Sequence, residues 1–402
     1  IALMTPLPAD GYSWIYQLFI GLSSFVFFYI GLHKIRAWLY ELRFSPLIIS
    51  LVLISVALAT NLIYYTVNEG SMSHVFSFGL ISAFCYHLYR AANRPEGYNY
   101  LFALTLFLLI VLVRPLNVLI VLCLPFITYG FNPFFRLILG VFADSRKYLP
   151  VVLIFLLALS IPLTLWYWQT GYVYAYSYGD EGFNFADPHI LDLLFSYRKG
   201  WFLYTPIAFV SLFGLSALWR QSRTAVYSFV LFFCVYVYIA SSWWVWDYTS
   251  RFSQRIFVDF LPFFALLLAF FLRDLLKRNR LITGIVLFLI ILLNMFQYYQ
   301  SWIWVYPDGP VTKESYWKYF FSTKALARFM IDDSGIISKT GFHTSLEAED
   351  EWYNTPSLTK QKAYLGECSA EINVINLTSP VVHKLVKPSW PDGKMLVRYS
   401  AW

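Results

Sequence analysis

The chain has 402 residues, of which 59% are hydrophobic and only 13% are charged, whereas a soluble domain carries roughly 25% charged residues. This composition excludes an ordinary soluble domain and indicates a polytopic membrane protein, because surface that faces lipid needs no charge. The net charge of +7 fits the excess of Lys and Arg in cytoplasmic loops of membrane proteins, so nucleic acid is not a predicted partner. The four cysteines show no metal-ligand spacing. No cofactor is predicted, and a divalent metal ion stays an open alternative.

Apolar runs of about 20 residues, bounded by charges and prolines, predict the membrane helices. The run at 98–130 is divided by Arg114-Pro115 into two short helices that form a hairpin. The predicted spans are 11–33, 46–66, 74–90, 98–113, 116–130, 148–168, 201–219, 224–242, 256–272 and 281–300. The predicted fold class is therefore an all-α polytopic membrane protein with about ten transmembrane helices in this chain.

The distribution of Lys and Arg assigns a side of the membrane to each loop. Loops after the first, third, fifth, seventh and ninth spans hold most of the basic residues and are therefore predicted to be cytoplasmic. A single long span across 98–130 would invert every later loop and break this rule. The predicted outer side receives the turn at Glu69, the hairpin at Arg114, the loops at 176–206 and 243–255, and everything after residue 300.

The stretch 176–206 is a polar loop between two apolar spans, and the predicted outer face is organised around it. It contains turn formers, a short apolar helix candidate at 189–195, and an Arg-Lys pair that enters the next span. This composition is typical of a folded surface over a site, and a structured connector with ordinary interface charges is the alternative. The residues predicted to contact an acceptor or a sugar, from this loop and from 243–255, are Glu181, Asp187, His189, Trp243 and Trp244. The two tryptophans also fit an interfacial aromatic belt.

Several basic residues lie on the predicted outer side, against the positive-inside rule. Basic residues near span ends, beside carboxylates and aromatic rings, indicate an anionic ligand. The predicted phosphate-binding residues are Arg114, Arg198, Lys199, Arg251 and Arg255. The alternative is that each pairs with a neighbouring carboxylate, for which Asp180, Asp247 and Asp259 are the candidates.

The last hundred residues differ from the membrane part, because their apolar runs are shorter and their charges denser. The pattern at 313–331 predicts an amphipathic helix, and alternating residues at 370–377, 381–386 and 394–399 predict short strands. The predicted domains are a transmembrane domain at 1–300, an extracytoplasmic helical linker at 301–334 and the start of a β-sandwich-like extracytoplasmic domain at 335–402.

The motifs of several enzyme classes are absent, namely the nucleophile elbow, the Walker loop, zinc-ligand spacing and the dinucleotide fingerprint. Carboxylate-based chemistry at the outer face remains. Glycosyl transfer needs a base near the acceptor and cationic groups that hold the leaving phosphate, and arginine grips two phosphate oxygens at once. The candidates for a catalytic role are Glu69, His74 and Asp180.

Four segments in fixed order carry a resemblance to a known family: 61–78, 109–120, 176–206 and 250–266. Together they resemble bacterial membrane glycosyltransferases of the GT-C superfamily, of the dolichyl-phosphate-mannose–protein mannosyltransferase-like type, with aminoarabinose-lipid transferases as relatives. The resemblance implies a polyprenyl-phosphate sugar donor, inverting transfer to a protein or glycan acceptor on the extracytoplasmic side, and donor-phosphate binding by Arg114 and Arg255. It also implies a multi-pass protein of the bacterial inner membrane, surrounded by membrane lipids, with a periplasmic C-terminal tail.

The chain departs from the family at its start. The catalytic Asp of the family lies in the first outer loop, and Asp10, the one acidic residue before the first span, does not match that motif well. We therefore expect the catalytic Asp upstream of Ile1 and the chain to be truncated at both ends. Two other interpretations stay open: a transporter of lipid-linked sugars, and a non-catalytic membrane subunit or scaffold of an envelope complex.

Overall fold

The computed structural model describes residues 14–93, 98–130, 149–173, 181–248, 252–303, 305–306, 311–324 and the pairs 352–353, 358–359, 369–370 and 381–382. The chain divides into two compact units, Ile1–Arg328 and Phe329–Trp402. The described part of the first unit is built from helices. They are α1 (Trp14–Glu41), α2 (Pro46–Leu58), α3 (Leu62–Val67), α4 (Ser73–Asn93), α5 (Asn99–Val113), α6 (Leu124–Thr128), α7 (Leu149–Thr170), α8 (Ile190–Phe195), α9 (Trp201–Tyr204), α10 (Pro206–Ser211), α11 (Gly214–Trp219), α12 (Arg223–Ser241), α13 (Leu261–Arg278), α14 (Arg280–Trp302) and α15 (Lys313–Tyr319).

Two 3-10 helices precede α6 and α13, at Pro115–Cys123 and at Arg255–Phe260. The second continues into α13, and together they form one rod, Arg255–Arg278, called the central helix below. Four helices of the described residues are long and apolar enough to cross a membrane: α1, α12, the central helix and α14. The expectation of an all-α membrane protein is confirmed at this coarse level, and ten spans stay a prediction.

Two predicted spans are interrupted in the structure. The span at 46–66 ends as α2 at Leu58 and resumes as α3 at Leu62. The span at 201–219 is divided into α9, α10 and α11. The first of these divisions falls at Thr205, because Pro206 has no N–H to donate and disfavours helical geometry in the residue before it.

The central helix is the most deeply packed element. Within it, 89% of its most apolar 18 residues lie buried inside the protein. Trp201 stacks on Phe257 at 3.9 Å between ring centroids. Gly214 allows α11 to approach closely, since a Cβ there would collide with the carbonyl oxygen of Leu267. Such close packing holds helices together in a membrane, where lipid is as apolar as the side chains, and it fixes the start of the central helix in place.

Helix α15 belongs to the first unit and packs on the end of α14. Thr312 and Ser315 form a capping box at its N-terminus. The Gln297 side chain donates to the Tyr316 hydroxyl at 2.9 Å, and the Gln300 amide donates to the carbonyl of Phe320 at 2.7 Å. The helix ends at Tyr319, earlier than the predicted 313–331, because Gln300 engages the carbonyls that follow.

The second unit contains two antiparallel ladders among its described residues. Strand β1 (Trp352–Tyr353) pairs with β4 (Val381–Val382), and β2 (Leu358–Thr359) pairs with β3 (Ser369–Ala370). Ladders of two residues do not establish a sandwich, so the β-rich extracytoplasmic domain stays a prediction. The predicted strand at 394–399 lies outside the described residues.

Candidate functional site

Three elements meet at the first turns of the central helix and place charged side chains together. His74 lies in the first turn of α4, Arg114 is the residue between α5 and the first 3-10 helix, and Asp259 lies in the second 3-10 helix. His74 Nδ1 is 2.8 Å from Asp259 Oδ1, and Arg114 Nε is 3.4 Å from Asp259 Oδ2. Three segments far apart in sequence therefore form one polar group inside an apolar bundle.

Asp259 is fully buried, and both of its carboxylate oxygens accept hydrogen bonds. Oδ1 accepts from His74, while Oδ2 faces Arg114 and also accepts from Asn117 Nδ2 at 2.8 Å. Arg114 Nη1 lies 2.8 Å from His74 Nε2. Arg114 Nη1 also lies 2.5 Å from His74 Nδ1. A neutral imidazole that donates from Nδ1 to Asp259 and accepts at Nε2 from Arg114 satisfies the contact with Asp259 and the contact at Nε2. The net charge of this buried group is then zero, which a low-dielectric interior requires.

A second group of charges lies next to the first and is less completely paired. Arg255, at the start of the central helix, places Nη1 3.4 Å from the sulfur of Met72. The ion pairs of the described residues give Arg255 no carboxylate partner. Its charge interacts with that of Lys199 and with the Tyr248 side chain, which Arg114 also influences. We call Arg114, Arg198, Lys199 and Arg255 the basic cluster.

Lys199 carries its charge at an electrostatic cost. Burial lowers the pKa of its ammonium below the ordinary value, and Arg198 and Arg255 lower it further, while Asp247 and Glu69 raise it. The Lys199 ammonium lies 4.0 Å from Asp247 Oδ2, at the limit of an ion pair. An added anion would stabilise this ammonium, because a nearby opposite charge favours the charged form.

Arg198 is the member of the basic cluster that is most clearly paired. Its Nε lies 2.6 Å from Asp247 Oδ2, and Asp247 is only 3% exposed. Its guanidinium also lies over the Trp246 ring, 5.7 Å from the centroid. These contacts fit the alternative interpretation for Arg198, in which a carboxylate neutralises the arginine and ties the loop before α9 to the loop after α12.

The predicted acceptor loop folds against the C-terminal end of α12. Backbone hydrogen bonds join Asn184 to Ser242 and Gly182 to Trp244, and Phe183 packs edge-on against Trp243 at 4.9 Å. This backbone pairing makes the loop a structured surface. Of the residues predicted here, Glu181, His189 and Trp243 are partly buried, while Asp187 and Trp244 are exposed.

One of these loop residues connects to the basic cluster. His189 stacks on Trp246 at 5.8 Å between centroids, and the Arg198 guanidinium also lies over the Trp246 ring. His189 also lies 3.1 Å from Asp192. The predicted helix at 189–195 is confirmed as α8, which begins at Ile190.

The candidates for a catalytic role differ in how accessible their side chains are to a substrate. Glu69 is partly exposed, accepts a hydrogen bond from the Tyr64 hydroxyl at 3.1 Å, and interacts with the Lys199 charge. His74 is 3% exposed, and both ring nitrogens face Asp259 and Arg114. Glu69 is therefore the candidate with room for a substrate hydroxyl. Asp180 and Arg251 lie outside the described residues.

Three residues of the site were not among the predicted ones: Asn117, Tyr248 and Asp259. Asp259 was named only as a partner that could neutralise an arginine. A stronger signal was available, since it is the one carboxylate at the apolar start of a predicted span, where ionisable residues mark functional sites. Tyr248 has a φ of +52°, a rare conformation for a bulky residue, and sequence gives no sign of it. The described residues contain no group of three His, Cys, Asp or Glu side chains arranged to hold a metal ion.

Comparisons with protein-family models, with curated proteins and with solved structures find no match to this chain. The resemblance to the GT-C superfamily therefore stays a prediction, and the function has to be argued from the geometry of the site.

Proposed function

We propose that this protein is a membrane glycosyltransferase that moves a sugar from a polyprenyl-phosphate donor to an acceptor on the extracytoplasmic side. One observation carries the proposal. Arg255 has no carboxylate partner in the described part of the chain and shares its surroundings with Lys199 and Arg114. A phosphate would supply the missing negative charge, and a guanidinium can donate two parallel hydrogen bonds to it.

The chemistry assigns a role to each part of the cluster. Among the described residues, Glu69 is the candidate that would take the proton from the acceptor hydroxyl, in the role that the resemblance assigns to an upstream Asp, as the hydroxyl oxygen attacks the anomeric carbon of the sugar. The bond from that carbon to the phosphate oxygen breaks, and its electron pair leaves with the polyprenyl phosphate. Negative charge on the phosphate grows in this step, and Arg255 and Lys199 would stabilise it more in the transition state than in the ground state.

The membrane arrangement that belongs to this proposal has ten spans, a bacterial inner-membrane location, and a periplasmic, β-rich tail. The geometry of the central helix supports a site at the membrane surface. Its 24 residues span about 39 Å, since the 3-10 residues rise about 2.0 Å each and the α-helical residues about 1.5 Å each, which exceeds a hydrocarbon core of about 30 Å. Arg255 at one end and Arg278 at the other would thus lie near opposite faces.

The test uses the separation of Arg255 and Arg278 along the central helix. The protein in lipid nanodiscs is titrated with a polyprenyl phosphate and with the matching polyprenol, and binding is followed by native mass spectrometry. We expect the phosphate to bind more tightly, and Arg255→Ala to weaken its binding by roughly tenfold to a hundredfold. Arg278→Ala, on the same helix, is the matched control and should change nothing. Equal binding of both lipids by the unmodified protein would refute the proposal.

A second candidate function has a specific observation in its favour. Arg114 pairs with Asp259, and Arg198 and Lys199 both lie within 4.0 Å of Asp247, so three of the four residues of the basic cluster already have a carboxylate beside them. A non-catalytic membrane subunit would need no more than this, because the pairs would only fasten the loops to the bundle. It predicts that the phosphate and the polyprenol bind alike.

A further inference from the structure

Arg114 holds an unusual position for a residue that is to bind a ligand. It ends α5 in an extended conformation, with φ −148° and ψ 103°, and Pro115 follows it. The next residues form a 3-10 helix, so no regular helix face sets the direction of the Arg114 side chain. Its side chain is 19% exposed. The contacts around it must therefore decide where this guanidinium points.

The contacts that orient the Arg114 guanidinium come from buried residues. Asn117 donates its backbone N–H to the Arg114 carbonyl at 2.9 Å and its side-chain amide to Asp259 Oδ2 at 2.8 Å. Asn117 thus joins the Arg114 backbone to the same carboxylate that faces the Arg114 Nε. His74 completes the arrangement by contacting both Asp259 and Arg114. Asn117 and Asp259 are each 0% exposed, which leaves them no direct contact with a ligand.

The rigid frame around this carboxylate adds to the argument. Asp259 lies in the central helix, which packs on every side except near its charged ends. A carboxylate on such a frame fixes the guanidinium more firmly than one on a loop would. The charges of Arg114 and Arg255 both act on the Tyr248 side chain, so the two guanidinium groups share one neighbourhood, and Asp259 holds the Nε of Arg114 there.

We propose that Asp259 and Asn117 are positioning residues that aim the Arg114 guanidinium at the phosphate of the lipid donor. This inference rests on the proposed function and deepens it, since it divides the charged residues into those that touch the phosphate and those that act through Arg114. A purely structural role for the same contacts is the competing explanation. A structural role predicts that changing Asp259 or Asn117 lowers stability, and that any effect on lipid binding does not depend on whether Arg114 is present.

The test keeps the charge constant, because Asp259→Asn would add net positive charge and mix attraction with orientation. Asp259→Glu preserves the charge and moves the carboxylate by one methylene. We expect it to weaken binding of polyprenyl phosphate in nanodiscs by roughly tenfold, the loss of one charge-assisted hydrogen bond, and to leave polyprenol binding unchanged. In an Arg114→Ala background the same change should have no further effect, since a residue that acts through Arg114 is silent without it.

A second variant keeps the proposal testable if Asp259→Glu does not fold. Asn117→Ala is combined with Arg114→Ala in the same kind of double-mutant cycle, with an expected loss of roughly threefold to tenfold where Arg114 is intact and no further loss in the Arg114→Ala background. Losses that add independently in either cycle would overturn the positioning role while leaving the proposed function standing. If the unmodified protein binds polyprenyl phosphate no better than polyprenol, the proposed function fails and this inference falls with it.

Discussion

The two groups of charges at the start of the central helix differ in how completely their charges are paired. Around Asp259 the charges are paired and hydrogen-bonded, with Asp259 buried and Arg114 partly exposed, so the group is neutral as a whole. Around Arg255 and Lys199 the side chains are partly exposed, and positive charge exceeds negative charge among the described residues. The first group can exist without a ligand, because its charges satisfy one another. The second becomes more favourable when an anion binds.

Arg114 belongs to both groups, and this explains why its pairing with Asp259 does not argue against a phosphate site. A guanidinium has five N–H donors in a planar fork, and the Nε side of Arg114 faces the carboxylate. Because Asp259 holds the Nε edge of Arg114, the direction of the rest of the planar guanidinium is fixed. The difference between the groups therefore separates orientation from binding, and each can be tested by breaking one group alone.

The largest effect is expected from removing the carboxylate of the neutral group. Asp259→Ala leaves the Arg114 charge without its partner and should lower the free energy of unfolding by about 3–5 kcal/mol, the usual cost of breaking a buried pair. Unfolding in detergent micelles with increasing denaturant measures it. Asp274→Ala is the matched control on the same helix, because the partly exposed Asp274 pairs with the exposed Arg220 and its loss should cost only about 0–1 kcal/mol. Equal losses for the two variants would contradict the contrast drawn between the groups.

A smaller effect is expected at the edge of the basic cluster. Arg198→Ala removes the main partner of the buried Asp247 carboxylate, but Lys199 remains within 4.0 Å of it. We expect a loss of about 1–3 kcal/mol in unfolding free energy, the cost of an unsatisfied buried group reduced by the remaining ammonium. Polyprenyl phosphate binding should change less than in Arg255→Ala, since Arg198 is engaged by its own carboxylate. A larger binding loss in Arg198→Ala than in Arg255→Ala would reverse the assignment of the two residues.

The sequence singled out basic residues by a simpler signal than the one that sets the helices around them. Arg114, Lys199 and Arg255 were selected because their charge violates the positive-inside rule, and in the structure the charge of Arg255 acts on Lys199 and, together with that of Arg114, on Tyr248. That rule acts on single residues near span ends and needs no packing information. Their roles in binding stay predictions, because the fold alone does not identify a ligand.

The breaks within the spans could not be predicted in the same way. The hydropathy of 201–219 predicts one helix, yet the helix is interrupted at Thr205 and again between Ser211 and Gly214. Pro206 gives a local signal for the first break, whereas the second lies where Gly214 meets the backbone of Leu267, a neighbour distant in sequence. Asn117 was missed for the same reason, since only the folded chain brings its amide to a carboxylate 142 positions away.

The smallest expected effect concerns Lys199 and distinguishes the open group from the neutral one by pH. The folded-state pKa of Lys199 lies below the ordinary value of 10.5, so unfolding takes up a proton between the two values and stability rises with pH across that interval. Lys199→Met removes this rise, so the variant should gain stability relative to the unmodified protein at neutral pH, and the difference should shrink as the pH approaches 10.5. Lys277→Met, at an exposed position near the other end of the central helix, is the control. Saturating polyprenyl phosphate should also abolish the rise of stability with pH in the unmodified protein, because a bound anion favours the charged ammonium. A rise that persists with the lipid bound would show that Lys199 does not contact the phosphate. Arg255 would then be the main contact of the phosphate.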